Sequence, residues 1–175
     1  MLSRMARANL AIAVISFGAV TAASYLQSAW SLQPCTMCII QRYAFLVIGV
    51  LALVRGAVGG RSDLFFRFFG ALFAFVGALA SAKVEYALLV PSDICGRDKI
   101  AAFLNHLPWV EHWPALFKAT GICGDYVPPV LGLPFHIWSL ALFAVLSLLW
   151  TSSLVVGGIH ESDVPRYGDL RMPKN

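Results

Sequence analysis

Residues 33–67 read QPCTMCIIQRYAFLVIGVLALVRGAVGGRSDLFFR. The stretch opens on a pair of thiols, Cys35 and Cys38, runs on as an apolar segment from about Ile39 to Val58, and stops at Gly59, Gly60 and Ser62. Crossing a hydrocarbon core of roughly 30 Å takes about 20 apolar residues in helix, because every backbone N–H and C=O must be satisfied without water. The segment meets that length. The glycines then punctuate it, so the next apolar run, from about Leu64 into the Leu88 region, begins a separate helix.

Two further runs lie outside this stretch. One extends from about Asn9 to Trp30, inside an uncharged interval from Ala8 to Gln41, and the other from about Val130 to Trp150. A cleaved signal peptide competes for the first, since Arg4 and Arg7 precede it and "TAAS" offers small residues; the run is long for such a peptide, which favours an intact anchor. The whole chain of 175 residues is 59% hydrophobic and 13% charged, too apolar to cover a water-soluble globule, so the bilayer is its solvent. Its net charge of +4 is scattered along the flanks of the runs without interleaved aromatics, which argues against nucleic acid. There are no repeats or flexible linkers. The sequence therefore predicts an all-α, four-helix transmembrane bundle as one membrane domain over residues 1–160, with spans at about 9–30, 39–58, 64–88 and 130–150. A long loop covers about 89–129, and residues 161–175 form a polar tail.

Orientation follows from the Lys and Arg near the span ends. Arg4 and Arg7 precede the first span, and Arg55, Arg61 and Arg67 surround the turn between the second and third. Both places read as cytoplasmic, as do both termini. The first connection has no Lys or Arg before Arg42, and the segment from Lys83 to Asp125 carries four basic and five acidic residues, so both read as outside. Trp30 and Trp150 fall where interfacial aromatics are expected.

On this topology all four cysteines, Cys35, Cys38, Cys95 and Cys123, lie on the outer face, where disulfides persist. They read as two redox pairs, Cys35 with Cys38 and Cys95 with Cys123. Inert buried thiols would not be confined to the two outer connections. A structural zinc site wants a second close pair, whereas 27 residues separate Cys95 from Cys123, so no metal is expected. Purely structural bridging suits Cys95 and Cys123, but a bridge across Cys35 and Cys38 closes too small a ring to add much stability.

Pro34 suits the start of a helix, which puts Cys35 and Cys38 at the outer N-terminus of the second span, where the helix dipole favours a thiolate. Arg42 shares a face with Cys38 and lies about 6 Å deeper along the axis. It can snorkel to the interface, yet an ionisable group within a span is a functional candidate by default. It can stabilise the thiolate or bind an arriving polar head group. No Rossmann, haem or iron–sulfur pattern is present, so the electron acceptor left to a dithiol at the lipid boundary is a membrane quinone. Cys38, nearer the bilayer, is expected to meet it, and Cys35 to face outward. Between Cys95 and Cys123, Ile100, Phe103, Leu104 and Leu107 recur at helical spacing and Trp109, Trp113, Leu116 and Phe117 follow. This predicts short amphipathic pieces on the membrane surface, or a small core closed by the loop's own disulfide. His106 and His112 read as interfacial polar groups, and His136 can border the quinone site.

These features together resemble the bacterial disulfide bond formation protein B (DsbB) family. The resemblance rests on four spans with both termini inside, "PCTMCIIQR" heading the second span, Cys95 in the second outer loop and "FKATGIC" ending at Cys123. It covers roughly residues 8–155; the stretch "GDYVPPVLGLPFHIW" keeps Leu-Gly-Leu and Trp138 but departs from the pattern around Pro128 and Pro129. The resemblance implies a multi-pass protein of the bacterial inner membrane that reoxidises a periplasmic DsbA-like thiol oxidase and passes the electrons to ubiquinone or menaquinone, the route that keeps the periplasm oxidising. It also implies roles: Cys95 attacked by the thiol oxidase, Cys123 its loop partner, Cys35 exchanging with that pair, Cys38 engaging the quinone, and Arg42 supporting both quinone and thiolate. Competing readings are a quinone-linked enzyme of the vitamin K epoxide reductase type, in which the dithiol motif is expected late in the bundle, and a metal-handling membrane subunit.

Overall fold

In the computed structural model, which describes residues 4–58, 63–90, 99–121 and 128–162, the apolar runs are helices α1 (Arg4–Ala29), α2 (Thr36–Val58), α3 (Asp63–Leu89) and α6 (Phe135–Ser162). Two short helices, α4 (Lys99–Asn105) and α5 (Pro114–Phe117), lie in the long connection. All four long helices contain a stretch long and apolar enough to cross a membrane, and the shortest, α2 with 23 residues, exceeds a 30 Å core at about 1.5 Å per residue. Their outer faces carry Leu10, Val14, Val50, Leu64, Phe68, Phe75 and Leu148, all exposed, as a lipid-facing surface requires.

The helices pack as neighbours in the order α1, α2, α3, α6. Between two helices in lipid there is no hydrophobic gain from association, so close van der Waals fit has to hold them. Glycines provide it. Gly70 and Gly77, two turns apart on α3, receive the Trp150 and Phe143 rings of α6: a Cβ on either would sit 2.4 Å from Trp150 or 2.1 Å from Phe143. Gly49 of α2 likewise takes Phe17 of α1, with a Cβ position 2.9 Å from its ring. Phe143 stacks on Phe45 of α2 at 4.0 Å between centroids, which ties α6 to the centre of the bundle. Ile12, Val20, Ile48, Ala52, Ala74 and Leu146 complete this core.

At the end away from the cysteines, Arg55 is 8% exposed. It donates to Asp63 Oδ1 at 2.6 Å, lies 5.4 Å from the centre of the Trp150 ring, and reaches Asn9 Oδ1 at 3.5 Å. Arg67 also pairs with Asp63. The turn that the charge pattern marks as basic is thus partly neutralised by Asp63 at the first position of α3.

Within the spans the structure differs from the sequence-based expectation at Trp150 and at the start of the fourth long helix. Trp150, expected at an interface, is 1% exposed because Gly70 opens a slot for its ring. The fourth long helix starts at Phe135 rather than near Val130. Val130 and Leu133 exchange backbone hydrogen bonds at 2.8 and 3.1 Å around Leu131 (φ 54°) and Gly132 (φ 81°), a tight turn with both central residues left-handed. Pro134 follows and Trp138 Nε1 donates to Val130 O at 3.1 Å, locking the turn onto the helix. The polar tail from residue 163 lies outside the described residues.

Candidate functional site

Pro34 precedes α2, and Cys35 takes the capping position. Its carbonyl accepts from Ile39 N at 3.1 Å and its sulfur from Cys38 N at 3.3 Å. That N–H donation and the helix dipole at this end favour negative charge on sulfur. The two sulfurs are 2.7 Å apart, within reach of bond formation by a small side-chain adjustment. Cys38 is partly exposed and lines a cavity. Cys35, expected to face outward, is instead 3% exposed and packed with Met37, Ala80, Val84 and Ala87. The small residues of α3 admit it, and its capping role turns the sulfur back toward Cys38.

Arg42, one turn beyond Cys38, is 5% exposed. Its guanidinium donates to Ala115 O at 3.1 Å and Leu116 O at 2.9 Å, both in α5, and to Gln27 Oε1 of α1. Arginine therefore straps the long connection to the bundle, while its side chain also lines the cavity that Cys38 borders.

The rest of the connection is held by similar means. Asn105 and Ala119 exchange two bonds of 2.8 Å; Trp109 Nε1 donates to Tyr43 Oη at 2.8 Å, and Tyr43 stacks on Phe117. Thr120 N and Gly121 N both donate to Pro34 O at 3.0 Å. The chain leading to Cys123 is thereby pinned beside the residue that precedes Cys35. Leu104 faces Ile39 in a buried cluster, whereas Ile100, Phe103 and Trp113 are exposed. His106 and His112 are exposed and bond to the carbonyls four residues earlier. Cys95 and Cys123 themselves lie outside the described residues.

The cavity has a volume of about 270 Å³ and is walled by Ala19, Val20, Ala23 and Leu26 of α1, by α2 from Cys38 to Phe45, and by α6 from Phe135 to Leu142. A ring with two carbonyl oxygens wants such a site: apolar walls with a few placed donors. Gln41, only 9% exposed, supplies one. Its Oε1 accepts from Ser139 Oγ at 2.6 Å, so its amide nitrogen is the donor left for the cavity. Ser139 is steadied in turn by Ser81 at 3.3 Å. His136 borders the cavity as expected from sequence, and its Nε2 lies 3.2 Å from Glu85 Oε1 of α3. Gln27, Gln41, Ser139 and Glu85 were not singled out from sequence, although polar residues inside apolar spans are the signal that marks them.

Comparison with known proteins extends over nearly the whole membrane domain. The chain is 37% identical over 146 residues to disulfide bond formation protein B of Ralstonia nicotianae, covering 83% of this chain and 91% of that one. It is 38% identical to disulfide bond formation protein B 2 of Burkholderia lata (79% and 82% covered) and 34% identical to disulfide bond formation protein B 1 of Pseudomonas entomophila (85% and 89% covered). The profile of the family "Disulfide bond formation protein DsbB" matches residues 5–152, from the first helix through the fourth span. With a dithiol capping the second of four spans and a long connection strapped over it, the chain belongs to the disulfide bond formation protein B family and is a disulfide-generating membrane oxidoreductase.

Proposed function

We propose that this protein is a protein-dithiol:quinone oxidoreductase: it reoxidises a periplasmic DsbA-like thiol oxidase and passes the electrons through two cysteine pairs to ubiquinone or menaquinone in the bacterial inner membrane. The observation that carries the reading is the cavity: the same apolar space is bordered by Cys38, by Arg42 and by the Gln41 amide. When bound, the quinone supplies the sink for two electrons and two protons, becoming a quinol.

The chain's own residues do the rest. The partner's two thiols reduce the Cys95–Cys123 disulfide, and the partner leaves oxidised. The loop dithiol then reduces the Cys35–Cys38 disulfide by thiolate attack on sulfur, so the loop bridge is restored and the two α2 thiols are formed. The backbone bonds from Thr120 and Gly121 to Pro34 support this step, because they hold the chain before Cys123 beside Cys35. The helix N-terminus favours ionised Cys38, and the Cys35–Cys38 bond re-forms as two electrons leave for the acceptor. The Gln41 amide, with those N–H groups of Arg42 not bound to the loop and Gln27, would hold a bound acceptor, and the apolar walls would exclude water. This scheme places the cysteine end of the bundle on the periplasmic side and both termini in the cytoplasm.

The test is to mix the purified protein with a reduced thiol oxidase and a soluble quinone and follow quinone absorbance. Turnover is expected with the native chain and none with Cys38→Ser, even with excess reduced partner. Undiminished turnover in Cys38→Ser removes the role given to that sulfur. An impermeant thiol reagent applied to intact cells tests the orientation: labelling of reduced cysteines only after the membrane is broken overturns it.

A further inference from the structure

We propose that His136, held by Glu85, is the proton carrier of the cavity; the inference rests on the quinone reading above and adds the path by which hydrogen reaches the acceptor. Of the described residues bordering the cavity, three can ionise: Cys38, Arg42 and His136. Cys38 carries the electrons. Arg42 gives three of its five N–H groups to Ala115 O, Leu116 O and Gln27, and a guanidinium does not release its proton in a protein. Only an imidazole both takes and gives a proton near neutral pH. His136 belongs to α6, and the charged group facing it from the packed helix α3 is Glu85, 3.2 Å away. From α2 come Cys38 and Arg42, from α1 no ionisable group. His136 is the second residue of α6 and Glu85 the fifth from the end of α3, so the pair lies at the cysteine end of the bundle; the side chains are 20% and 28% exposed, with Glu85 Oε1 itself buried.

The balance of the reaction requires such a route. Reducing the acceptor to its dihydroxy form takes two electrons and two protons. Both electrons come from the Cys35 and Cys38 sulfurs as their S–S bond forms. One proton is that of the Cys35 thiol, released in the same step. The other replaces the proton Cys38 gave up on ionising, and His136 delivers it to an acceptor oxygen, then is reprotonated from outside past Glu85. Glu85 is a positioning residue: its carboxylate, 3.2 Å from His136 Nε2, orients the imidazole.

The experiment compares the native chain with His136→Gln and Glu85→Gln, all purified whole. Three quantities are read: affinity for a soluble ubiquinone analogue by equilibrium binding, thiol exchange with reduced thiol oxidase without quinone, and the rate of quinone reduction across pH 5.5–8.5. For His136→Gln the expected result is binding and exchange within about twofold of native. Quinone reduction should fall at least tenfold at pH 7, with a changed pH profile and partial recovery on adding imidazole. Glu85→Gln should show a smaller loss and an altered pH profile. A native rate and native pH profile in His136→Gln overturn the proposal. Loss of quinone binding in that variant overturns it too, because His136 then holds the acceptor instead of protonating it. A native chain that neither binds nor reduces quinone brings down the functional reading itself, a distinguishable outcome.

Discussion

Gly121 lies against Gln33 so closely that a Cβ on it would stand 2.1 Å from the Gln33 carbonyl oxygen. Neither backbone can yield easily, because Gly121 N and Thr120 N are both bound to Pro34 O. Gly121→Val is therefore expected to lift the loop from the head of α2. In the coupled assay, electron flow from partner to quinone should fall at least tenfold. The four-helix core contains none of these atoms, so thermal unfolding in detergent should move by no more than about 2 °C.

Arg42 joins three separate segments through one planar group, with five donors in a fixed fork. Lysine offers charge without that fork. Arg42→Lys should leave at least one of the Ala115 and Leu116 carbonyls unsatisfied, at a cost of about 1–3 kcal/mol to loop docking. Limited proteolysis is the measurement: cleavage between residues 106 and 121 should speed up while α1 to α3 stay intact. Quinone reduction should fall by about tenfold or more, and further than the affinity for the thiol oxidase. Equal loss of both would make Arg42 a loop anchor alone.

Gly77 meets Phe143, and Gly70 meets Trp150, with no space for a methyl group. Overpacking of this kind costs about 1–3 kcal/mol. Gly77→Ala is expected to destabilise the bundle within that range, and adding Phe143→Leu should recover part of it. Unfolding in mixed micelles, run as a double-mutant cycle, checks the coupling.

Asp63 is the carboxylate partner of the buried Arg55 and also pairs with Arg67. Removing it by Asp63→Ala leaves a guanidinium in a poorly solvated site, a change worth about 3 kcal/mol when a buried pair is broken. The same unfolding measurement should register the loss. Replacing Arg55 and Asp63 together by Met and Leu should cost less than Asp63→Ala alone, since the more deeply buried guanidinium goes with its partner and only Arg67, 16% exposed, loses the Asp63 carboxylate.

What the sequence reveals and what it conceals divide along physical lines. The four spans are legible because hydropathy over about 20 residues is a local property. The placement of Cys35 and Cys38 at a helix head is legible for the same reason, since Pro34 marks the start. The loop partners of Arg42 are not, because they are backbone carbonyls 73 and 74 positions away and backbone groups carry no side-chain signal. Trp150 misleads because its position near a span end says nothing about which face it occupies; Gly70, on another helix, decides that. The late start of α6 depends on Leu131 adopting a left-handed conformation, which its neighbour Gly132 only hints at. The burial of Cys35 turns on Ala80 and Ala87, residues whose smallness becomes meaningful only once α3 is known to face α2.

The helices that pack extensively are sequential, and α1 and α6, at the two ends of that series, form opposite walls of the cavity without an extensive contact of their own. Whatever fills the cavity therefore touches both ends of the helix series. On the quinone reading proposed above, a bound acceptor would bridge the first and last helices of the series, so a soluble quinone is expected to raise the thermal unfolding temperature of the native chain in detergent.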